Sequence, residues 1–488
     1  MSGALEFEFR FGKKGKSASN NRAFRILVMA DLAGQQERPQ TLASRTPVKV
    51  DMDSIGKLMA TVAPSVYPPP APGDQGSTPQ PLRFTRLENL HPEAIYLGSK
   101  VFAELRHQRE ALLDPLRFEE TASALGLSTT PEAAPAGTES DADTLSRLFG
   151  KVARQAPSGA AAAINQLVRD VVSPHVVSDN RAARNRALAQ FDQCIGERMR
   201  QLLHDPAFRN LESAWRGLWQ LVSELEGNDD LEISVLDLSR AELEADLLDN
   251  NGKGLHAALA ESTGEDGPWS LLTADFAFAA DATDLCMLAA LAWLAREHDA
   301  PLLAAARPTL VGCPGPEQLL QPAHWQALPT PLGEAWQALR QRPEAAWLGL
   351  VMPRLLGRLP YGKATDPVSA FSFEEFDGTQ AHEDFSWDSP VYSLARLAGE
   401  AFADEGWEMD TAGYLEVGPL PSYVFRDENG DSKQQPCAEV MLGEAAANAL
   451  LARGIMPMLS YRNRDAARLL RWQSVATPAR PLAGVFSR

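Results

Sequence analysis

Residues 346–375 read AWLGLVMPRLLGRLPYGKATDPVSAFSFEE, and this stretch decides how the rest of the chain is interpreted. It opens with the apolar run WLGLVM, whose length and composition predict a strand buried on both faces. Arg354 and Arg358 follow four residues apart, and then Pro360 and Tyr361 begin a turn. Bulky, charged and turn-forming residues are concentrated here, which predicts a structural joint.

The two arginines of this stretch allow two interpretations. If the segment is helical, Arg354 and Arg358 project from one face and could grip carboxylates. The chain contains 64 acidic residues, which favours ion pairs within the chain or between subunits. The other interpretation is the anion-binding or hydrolytic site of an α/β enzyme.

Length and composition predict a large protein with several domains. The 488 residues exceed one ordinary core, and 44% of them are hydrophobic. A net charge of −18 argues against binding to nucleic acid, because phosphate neutralisation needs a basic face. The four cysteines lack metal-ligand spacing, and neither a signal peptide nor an apolar run of about 18 residues is present. We therefore expect a cytoplasmic protein without membrane insertion.

The first residues have the alternation of a strand with one apolar face. Leu5, Phe7, Phe9 and Phe11 alternate with charged residues, and the polar run GKKGKSASNN follows. Such a tethered strand needs a sheet edge to complete, in its own chain or in a neighbour. These four residues are therefore candidates for strand exchange or self-association.

The segment between Phe9 and Ala30 contains six basic residues and no acidic residue. It is either a solvated arm or an arm that docks on an acidic partner, such as another copy of this acidic protein. The basic residues are Arg10, Lys13, Lys14, Lys16, Arg22 and Arg25.

Alternating strand and helix patterns predict an α/β fold with a mostly parallel sheet and flanking helices. Predicted strands include 24–29, 231–237, 269–278, 301–305, 347–352 and 455–460, and a proline-rich loop covers 66–81. Helix caps are predicted at Asp53, Asp205, Ser239 and Asp281, and one helix is predicted over 92–113. The predicted organisation is an arm (1–22), a small α/β domain (23–117), a linker (118–143), a helical region (144–230) and a larger α/β domain (231–488).

The sequence lacks the usual motifs of catalysis. No GxxxxGK[ST], HExxH or GxSxG pattern is present. His382, Glu383 and Asp384 are adjacent polar residues, which is more typical of a solvated loop than of an acid–base cluster. Asp275 and Asp281 flank a strand end, where acids can be catalytic but more often cap helices. We therefore predict no catalytic, cofactor-binding or metal-binding residues.

Several motifs together resemble one family. LVMPRLLGRLPYG with FSFEE, DPAFRNLESAWRGLWQLV and LEISVLDLSRAELEADL resemble the large subunit of the type VI secretion contractile sheath, over about residues 181–474. FRILVMADLAG, RTPVKVDMDS and LRFTRLENLHPEAI are similar to the small sheath subunit (about 23–115). The chain thus resembles the small (VipA or TssB) and large (VipB or TssC) subunits joined in tandem.

The resemblance implies a non-enzymatic structural protein. In that family the two subunits polymerise into a contractile sheath around an inner tube, neighbours are linked by exchanged strands, and an AAA+ unfoldase recycles the sheath. The implied partners are sheath subunits or other copies of this chain, together with the baseplate, inner tube or unfoldase.

Two departures from the family shape the expected role. The stretch 66–81 is a proline-rich loop where the small subunit would carry strand, and the chain ends before the C-terminal portion of the large subunit, which helps to join protomers. We therefore expect an accessory that caps, limits or couples the sheath to the baseplate or membrane complex. An ordinary polymerising sheath subunit is the alternative.

Overall fold

The computed structural model describes residues 22–70, 80–127, 181–376, 381–426 and 430–487, without the side chains of 262–266. The strands are β1 (Phe24–Ala30), β2 (Val48–Val50), β3 (Ser65–Val66), β4 (Leu82–Arg83), β5 (Leu231–Asp237), β6 (Leu271–Phe278), β7 (Leu302–Ala306), β8 (Leu348–Met352), β9 (Leu355–Leu356), β10 (Trp387–Asp388), β11 (Glu416–Val417), β12 (Tyr423–Arg426), β13 (Ser432–Gln435), β14 (Ile455–Ser460) and β15 (Ala467–Leu469).

The helices surround the main sheet. They are α1 (Ile55–Val62), α2 (Pro92–Gly98), α3 (Ala103–Leu113), α4 (Phe118–Ala124), α5 (Arg181–Leu203), α6 (Pro206–Glu224), α7 (Arg240–Asp249), α8 (Lys253–Asp266), α9 (Ala282–Glu297), α10 (Leu332–Gln341), α11 (Val391–Glu405) and α12 (Glu444–Ala452). Among the described residues, no helix is long and apolar enough to cross a membrane.

Nine strands form the main sheet in the order β11-β15-β14-β8-β7-β6-β1-β5-β2. The six strands from β14 to β5 pair in parallel, and the outer strands pair antiparallel with their neighbours. This confirms the predicted α/β class with a mostly parallel sheet. Parallel sheets are buried on both faces because their crossover helices cover them, and β1 is accordingly buried at every position.

The two faces of the sheet pack against separate groups of helices. Phe24, Ile26 and Val28 of β1 face a core that contains buried residues of α5, α6 and α11. Leu27 and Met29, which point the other way, join a core with α7, α8, α9 and α12. Alternation of side chains along a strand therefore lets one strand connect both cores.

Strand β1 unites the N-terminal and C-terminal parts of the chain. It pairs along its whole length with β5 and also pairs with β6, although the paired residues are 207 positions apart for β5 and 245 apart for β6. The indole Nε1 of Trp215 in α6 donates to the Leu32 carbonyl at 2.9 Å, directly beyond β1. The parts before residue 118 and after residue 230 therefore share one sheet and both of its cores.

Side chains reinforce this union next to the sheet. The Nε of Arg38 donates to Oδ2 of Asp237 at 2.9 Å, and Arg45 forms an ion pair with Glu242. These pairs join the loop after β1 to the end of β5 and the start of α7. They tie the two parts of the chain together at the carboxyl edge of the sheet.

Three local predictions require correction. The helix predicted over 92–113 is broken into α2 and α3 by residues 99–102. Ser54, and not Asp53, precedes α1, because the carboxylate of Asp51 accepts hydrogen bonds from the backbone and side chain of Ser54 and organises this turn. The predicted linker does not begin at residue 118, since α4 occupies 118–124 and buries Phe118.

Other expected features are confirmed or lie outside the described residues. The caps at Asp205, Ser239 and Asp281 are confirmed, each accepting a hydrogen bond from the first turn of its helix. Most of the linker and the predicted helices before residue 181 are not among the described residues, and most of the proline-rich stretch 66–81 is not either. The division into domains otherwise stays a prediction.

Candidate functional site

The joint predicted in residues 346–375 is built around the buried guanidinium of Arg358. Its Nε donates to Oε1 of Glu212 at 2.9 Å. Its Nη1 and Nη2 donate to the two oxygens of Glu375 at 2.7 and 3.0 Å. This two-pronged arrangement is the geometry in which arginine binds a carboxylate most strongly.

Two further side chains complete the Arg358 cluster. The hydroxyl of Tyr361 donates to Glu212 at 3.2 Å, and its backbone N–H donates to Glu375 at 2.7 Å. The Nε of Arg216 donates to the same Glu212 oxygen at 2.9 Å. The cluster therefore fastens α6, which carries Glu212 and Arg216, to the chain that follows β9.

The electrostatics of the cluster keep its carboxylates ionised. Burial alone would raise the pKa of Glu375, but the charge of Arg358 and the hydrogen bonds to the carboxylate lower it to about 2. The pKa of Glu212 is lowered in the same way, against its burial, by Arg358 and Arg216. Both acids therefore remain charged at neutral pH inside the protein.

Arg354 belongs to a different cluster. Its Nε donates to Oε1 of Glu439 at 3.1 Å, and its backbone N–H donates to the other oxygen at 3.2 Å. The Nε2 of His382 lies 2.9 Å from the same carboxylate, and Glu383 is 3.5 Å from Arg354. Burial raises the pKa of Glu439, but His382 and Arg354 outweigh it and lower the pKa to about 2.

The helical interpretation of the two arginines is wrong. Residues between Arg354 and Arg358 form the short strand β9, which pairs with β10. The two guanidinium groups consequently bind different carboxylates on different elements. Since each is paired within the chain, the structure favours internal ion pairs over an anion-binding enzyme site.

Pro360 and Tyr361 occupy the turn that closes the joint. Both are buried, and the backbone N–H of Gly362 donates to the Asp366 carbonyl at 3.0 Å. A Cβ at Gly362 would lie 2.1 Å from a carboxylate oxygen of Glu374, whose exposed side chain would have to move aside.

The other sequence candidates have structural positions. Asp281 caps α9, as predicted, whereas Asp275 lies within β6 and accepts a hydrogen bond from the Tyr392 hydroxyl at 2.9 Å. Of the adjacent polar residues, His382 contacts Glu439, and Asp384 lies 3.4 Å from His204. In the part of the chain that the structure describes, no group of three or more potential ligands could hold a metal ion.

The N-terminal candidates for strand exchange cannot be placed. Leu5, Phe7, Phe9 and Phe11 lie outside the described residues. Strands β12 and β13 form a separate two-stranded hairpin, and Val424 of β12 is 60% exposed. Two outer strands such as these present backbone groups to which a further strand could be added.

Sequence reasoning missed the acidic partners of the joint. Glu212 interrupts the apolar face of α6 next to Leu211 and Trp215, and this single acid was a usable signal. Asp388 gave no signal in the sequence. Its carboxylate lies against Gly357, where a Cβ would be 2.2 Å from Oδ1, and burial raises its pKa to about 8.

Two family models match the chain. The model of the EvpB-type tail sheath N-terminal domain, VipB, matches residues 185–476. The type VI secretion system VipA model matches residues 5–122. The two matches follow one another without overlap.

A curated relative supports the same assignment. The type VI secretion system sheath protein TssC1 of Pseudomonas aeruginosa is 31% identical over 305 residues, which are 60% of this chain and 61% of the relative. The chain therefore spans about three fifths of the length of that relative. With most of its length matched by the large-subunit model and its N-terminal part by the small-subunit model, the chain belongs to the type VI secretion tail-sheath family and joins small-subunit and large-subunit segments in one polypeptide.

Proposed function

We propose that this chain is a non-enzymatic structural component of a type VI contractile sheath and acts in the cytoplasm. The observation that carries the proposal is the position of β1. This strand of the VipA-like segment lies between β5 and β6 of the VipB-like segment, so both segments contribute to one sheet within a single chain. The internal pairing of Arg354 and Arg358 supports a structural role for the joint.

The finer proposal is an accessory that caps, limits or couples the sheath to the baseplate or membrane complex. The fusion motivates this role, because one polypeptide carries the two segments that separate subunits supply in an ordinary sheath. The short outer strands β2 and β11 support the same role, because brief and charged edge strands disfavour addition of further strands. A copy that forms fewer strand contacts with its neighbours is better suited to ending or coupling a sheath than to building a continuous lattice.

Negative-stain microscopy of the purified protein tests this role. We expect monomers or small oligomers that bind to the ends of sheath assembled from separate subunits. Long contractile tubes formed by this chain alone would show that the accessory role is wrong.

An ordinary polymerising subunit is the second candidate. The alternating apolar residues 5–11 favour it, because that segment could add to the exposed edge of a neighbour's β12–β13 hairpin. Deleting residues 1–11 should then abolish assembly. A matched variant, Phe7→Ser with Phe9→Ser, should do the same, whereas Glu6→Gln with Glu8→Gln on the other face should assemble normally.

The further partners remain proposals of the same kind. Sheath subunits or other copies of this chain are the first expected partners, and the baseplate, the inner tube and an AAA+ unfoldase follow from the family. Affinity capture with each purified component, using Phe7→Ser with Phe9→Ser as the comparison, would separate arm-dependent contacts from contacts made by the folded core.

A further inference from the structure

Two histidine side chains meet at the surface of the helices that cover one face of the sheet. His256 lies in the first turn of α8, and His298 caps the end of α9. The Nδ1 of His256 is 2.9 Å from the Nε2 of His298, and the centroids of the two rings are 4.8 Å apart. The two residues are 42 positions apart in the chain, so no sequence spacing indicated a pair of ligands.

The helices hold the backbone of both histidines in place. The His256 N–H donates to the Gly252 carbonyl at 2.9 Å, and the His298 N–H donates to the Leu294 carbonyl at 3.1 Å. Leu255, next to His256, and Leu294, one turn before His298, are buried in the same core. The packing of α8 and α9 therefore sets the distance between the two histidines.

The separation of the two nitrogens fits a metal ion as well as a hydrogen bond. Imidazole nitrogens bind divalent metals at about 2.0–2.1 Å. Two such nitrogens are about 2.9 Å apart when the angle at the ion is about 90°, and about 3.3 Å apart at the tetrahedral angle. The observed separation of 2.9 Å therefore matches neighbouring positions of a square-planar or tetragonal ion, the geometry typical of Cu²⁺ and Ni²⁺.

The protonation of the pair is suitable for metal binding. Metal ions bind the neutral imidazole, and a neutral ring can carry its proton on either nitrogen. Burial, together with the nearby His256, lowers the pKa of His298 to about 4, so this ring is neutral at pH 7. His256 is exposed, so its ring can turn until a lone pair of each histidine points to one ion on the solvent side.

Water would fill the other positions around such an ion. Among the described residues, no group of three His, Cys, Asp or Glu side chains could hold a metal ion, so the pair has no third protein ligand of these kinds there. Two imidazoles still bind more tightly than one. Once the first has bound the ion, the second meets it at a high effective concentration.

We propose that His256 and His298 form a two-histidine site for a divalent transition-metal ion, which joins the start of α8 to the end of α9. Its preferred ions are Cu²⁺ and Ni²⁺, and water completes their coordination. The site is separate from the Arg358 cluster and does not rest on the proposed role in the sheath. Failure of either proposal therefore leaves the other unaffected.

Titration calorimetry of the tag-free full chain with Cu²⁺ and with Ni²⁺ measures the binding. His256→Gln and His298→Gln should each weaken it at least tenfold, because each variant keeps one imidazole of the pair. His324→Gln removes another exposed histidine and should leave the affinity within about twofold of the parent chain. Equal affinities for the pair variants and this control would overturn the proposal.

Electron paramagnetic resonance of the Cu²⁺ complex tests the coordination. Each bound imidazole nitrogen splits the copper signal, so the parent chain should show two bound nitrogens. His256→Gln and His298→Gln should each show one. A spectrum with a single nitrogen in the parent chain would mean that the two histidines only form a hydrogen bond, and the proposal would be wrong.

Trp293 provides an optical signal beside the site. Its ring centroid lies 6.3 Å from that of His256, and its side chain is 43% exposed. Bound Cu²⁺ quenches the fluorescence of a neighbouring indole, so Cu²⁺ should quench the parent chain more than Trp293→Phe, which should bind the ion equally well. Equal quenching of the two chains would place the ion elsewhere and contradict the proposal.

Thermal unfolding shows that each variant is folded and gives an independent test of binding. An ion that binds the folded chain raises its melting temperature. Ni²⁺ should therefore raise the melting temperature of the parent chain and of His324→Gln, and should have little effect on His256→Gln or His298→Gln. The same rise in all four chains would contradict binding at the pair.

Discussion

Arg358 pairs with two buried carboxylates, so replacing it should destabilise the joint strongly. Its side chain is 8% exposed, while those of Glu212 and Glu375 are almost fully buried. Breaking such a cluster by removing one partner leaves uncompensated charge in the interior. Arg358 is important for stability because the carboxylates of Glu212 and Glu375 would be buried and unpaired without it.

Arg358→Ala should therefore lower the free energy of unfolding by about 3–5 kcal/mol. Chemical denaturation of the full chain measures the loss. Arg464→Ala removes an ion pair with Glu416 in which both partners are exposed, so its cost should be about 0–1 kcal/mol. Equal costs for the two variants would contradict a structural role for the buried cluster.

Asp388 should make stability depend on pH between about 4 and 8. Burial raises its pKa to about 8 in the folded state, so the folded protein holds a proton there that the unfolded chain releases at lower pH. The stabilisation from the proton on Asp388 is fully present below the pKa of this residue in the unfolded chain, and it is lost as the pH rises through 8. Asp388→Asn should flatten this slope in denaturation curves taken across the range.

Glu375 and Glu439 act in the opposite direction and in a separate window. Their folded pKa values of about 2 lie below the ordinary value of 4.5, so their contribution is present above pH 4.5 and disappears as the pH falls towards 2. Asp388→Asn should leave this acid limb unchanged. If Asp388→Asn altered stability in the acid range and kept the slope between pH 4 and 8, the assignment of that slope to Asp388 would be wrong.

At the level of elements, α6 approaches α11 closely because Gly217 faces Tyr392. A Cβ at Gly217 would lie 2.4 Å from the Tyr392 ring, which is buried and cannot move aside. Gly217→Ala should destabilise the protein by about 1–3 kcal/mol through overpacking. Thermal or chemical unfolding provides the measurement.

Gly56 is the matched control for that substitution. It lies in α1, where a Cβ would have no atom within 4 Å, so Gly56→Ala adds the same methyl group to open space. Alanine favours the helix over glycine, and the substitution should stabilise the protein by about 0.5–1 kcal/mol. If both variants behaved alike, close packing of α6 on α11 would not explain the glycine.

The elements themselves were largely predictable from sequence, and their long-range contacts were not. Local chemistry identified the caps at Asp205, Ser239 and Asp281, because a cap needs only its own first turn. The break between α2 and α3 was missed, since apolar spacing continues across it. The pairing of Arg358 with Glu212 joins residues 146 apart, which no local pattern encodes.

For the whole molecule, the position of β1 predicts that the two parts of the chain depend on each other for folding. Residues 181–488 expressed alone would leave β5 and β6 without the strand between them, exposing unpaired edges and both cores. We expect this fragment to be insoluble alone and to copurify with residues 1–127 when both are expressed together. A soluble, cooperatively folding fragment 181–488 would contradict this.

The most direct measurement locates the labelled protein on sheath assembled from separate small and large subunits. Gold-labelled full chain is added to the sheath and imaged by negative-stain microscopy. We expect the label to be concentrated at sheath ends. Label distributed along the whole length would indicate an ordinary subunit, and no label at all would contradict a role in the sheath.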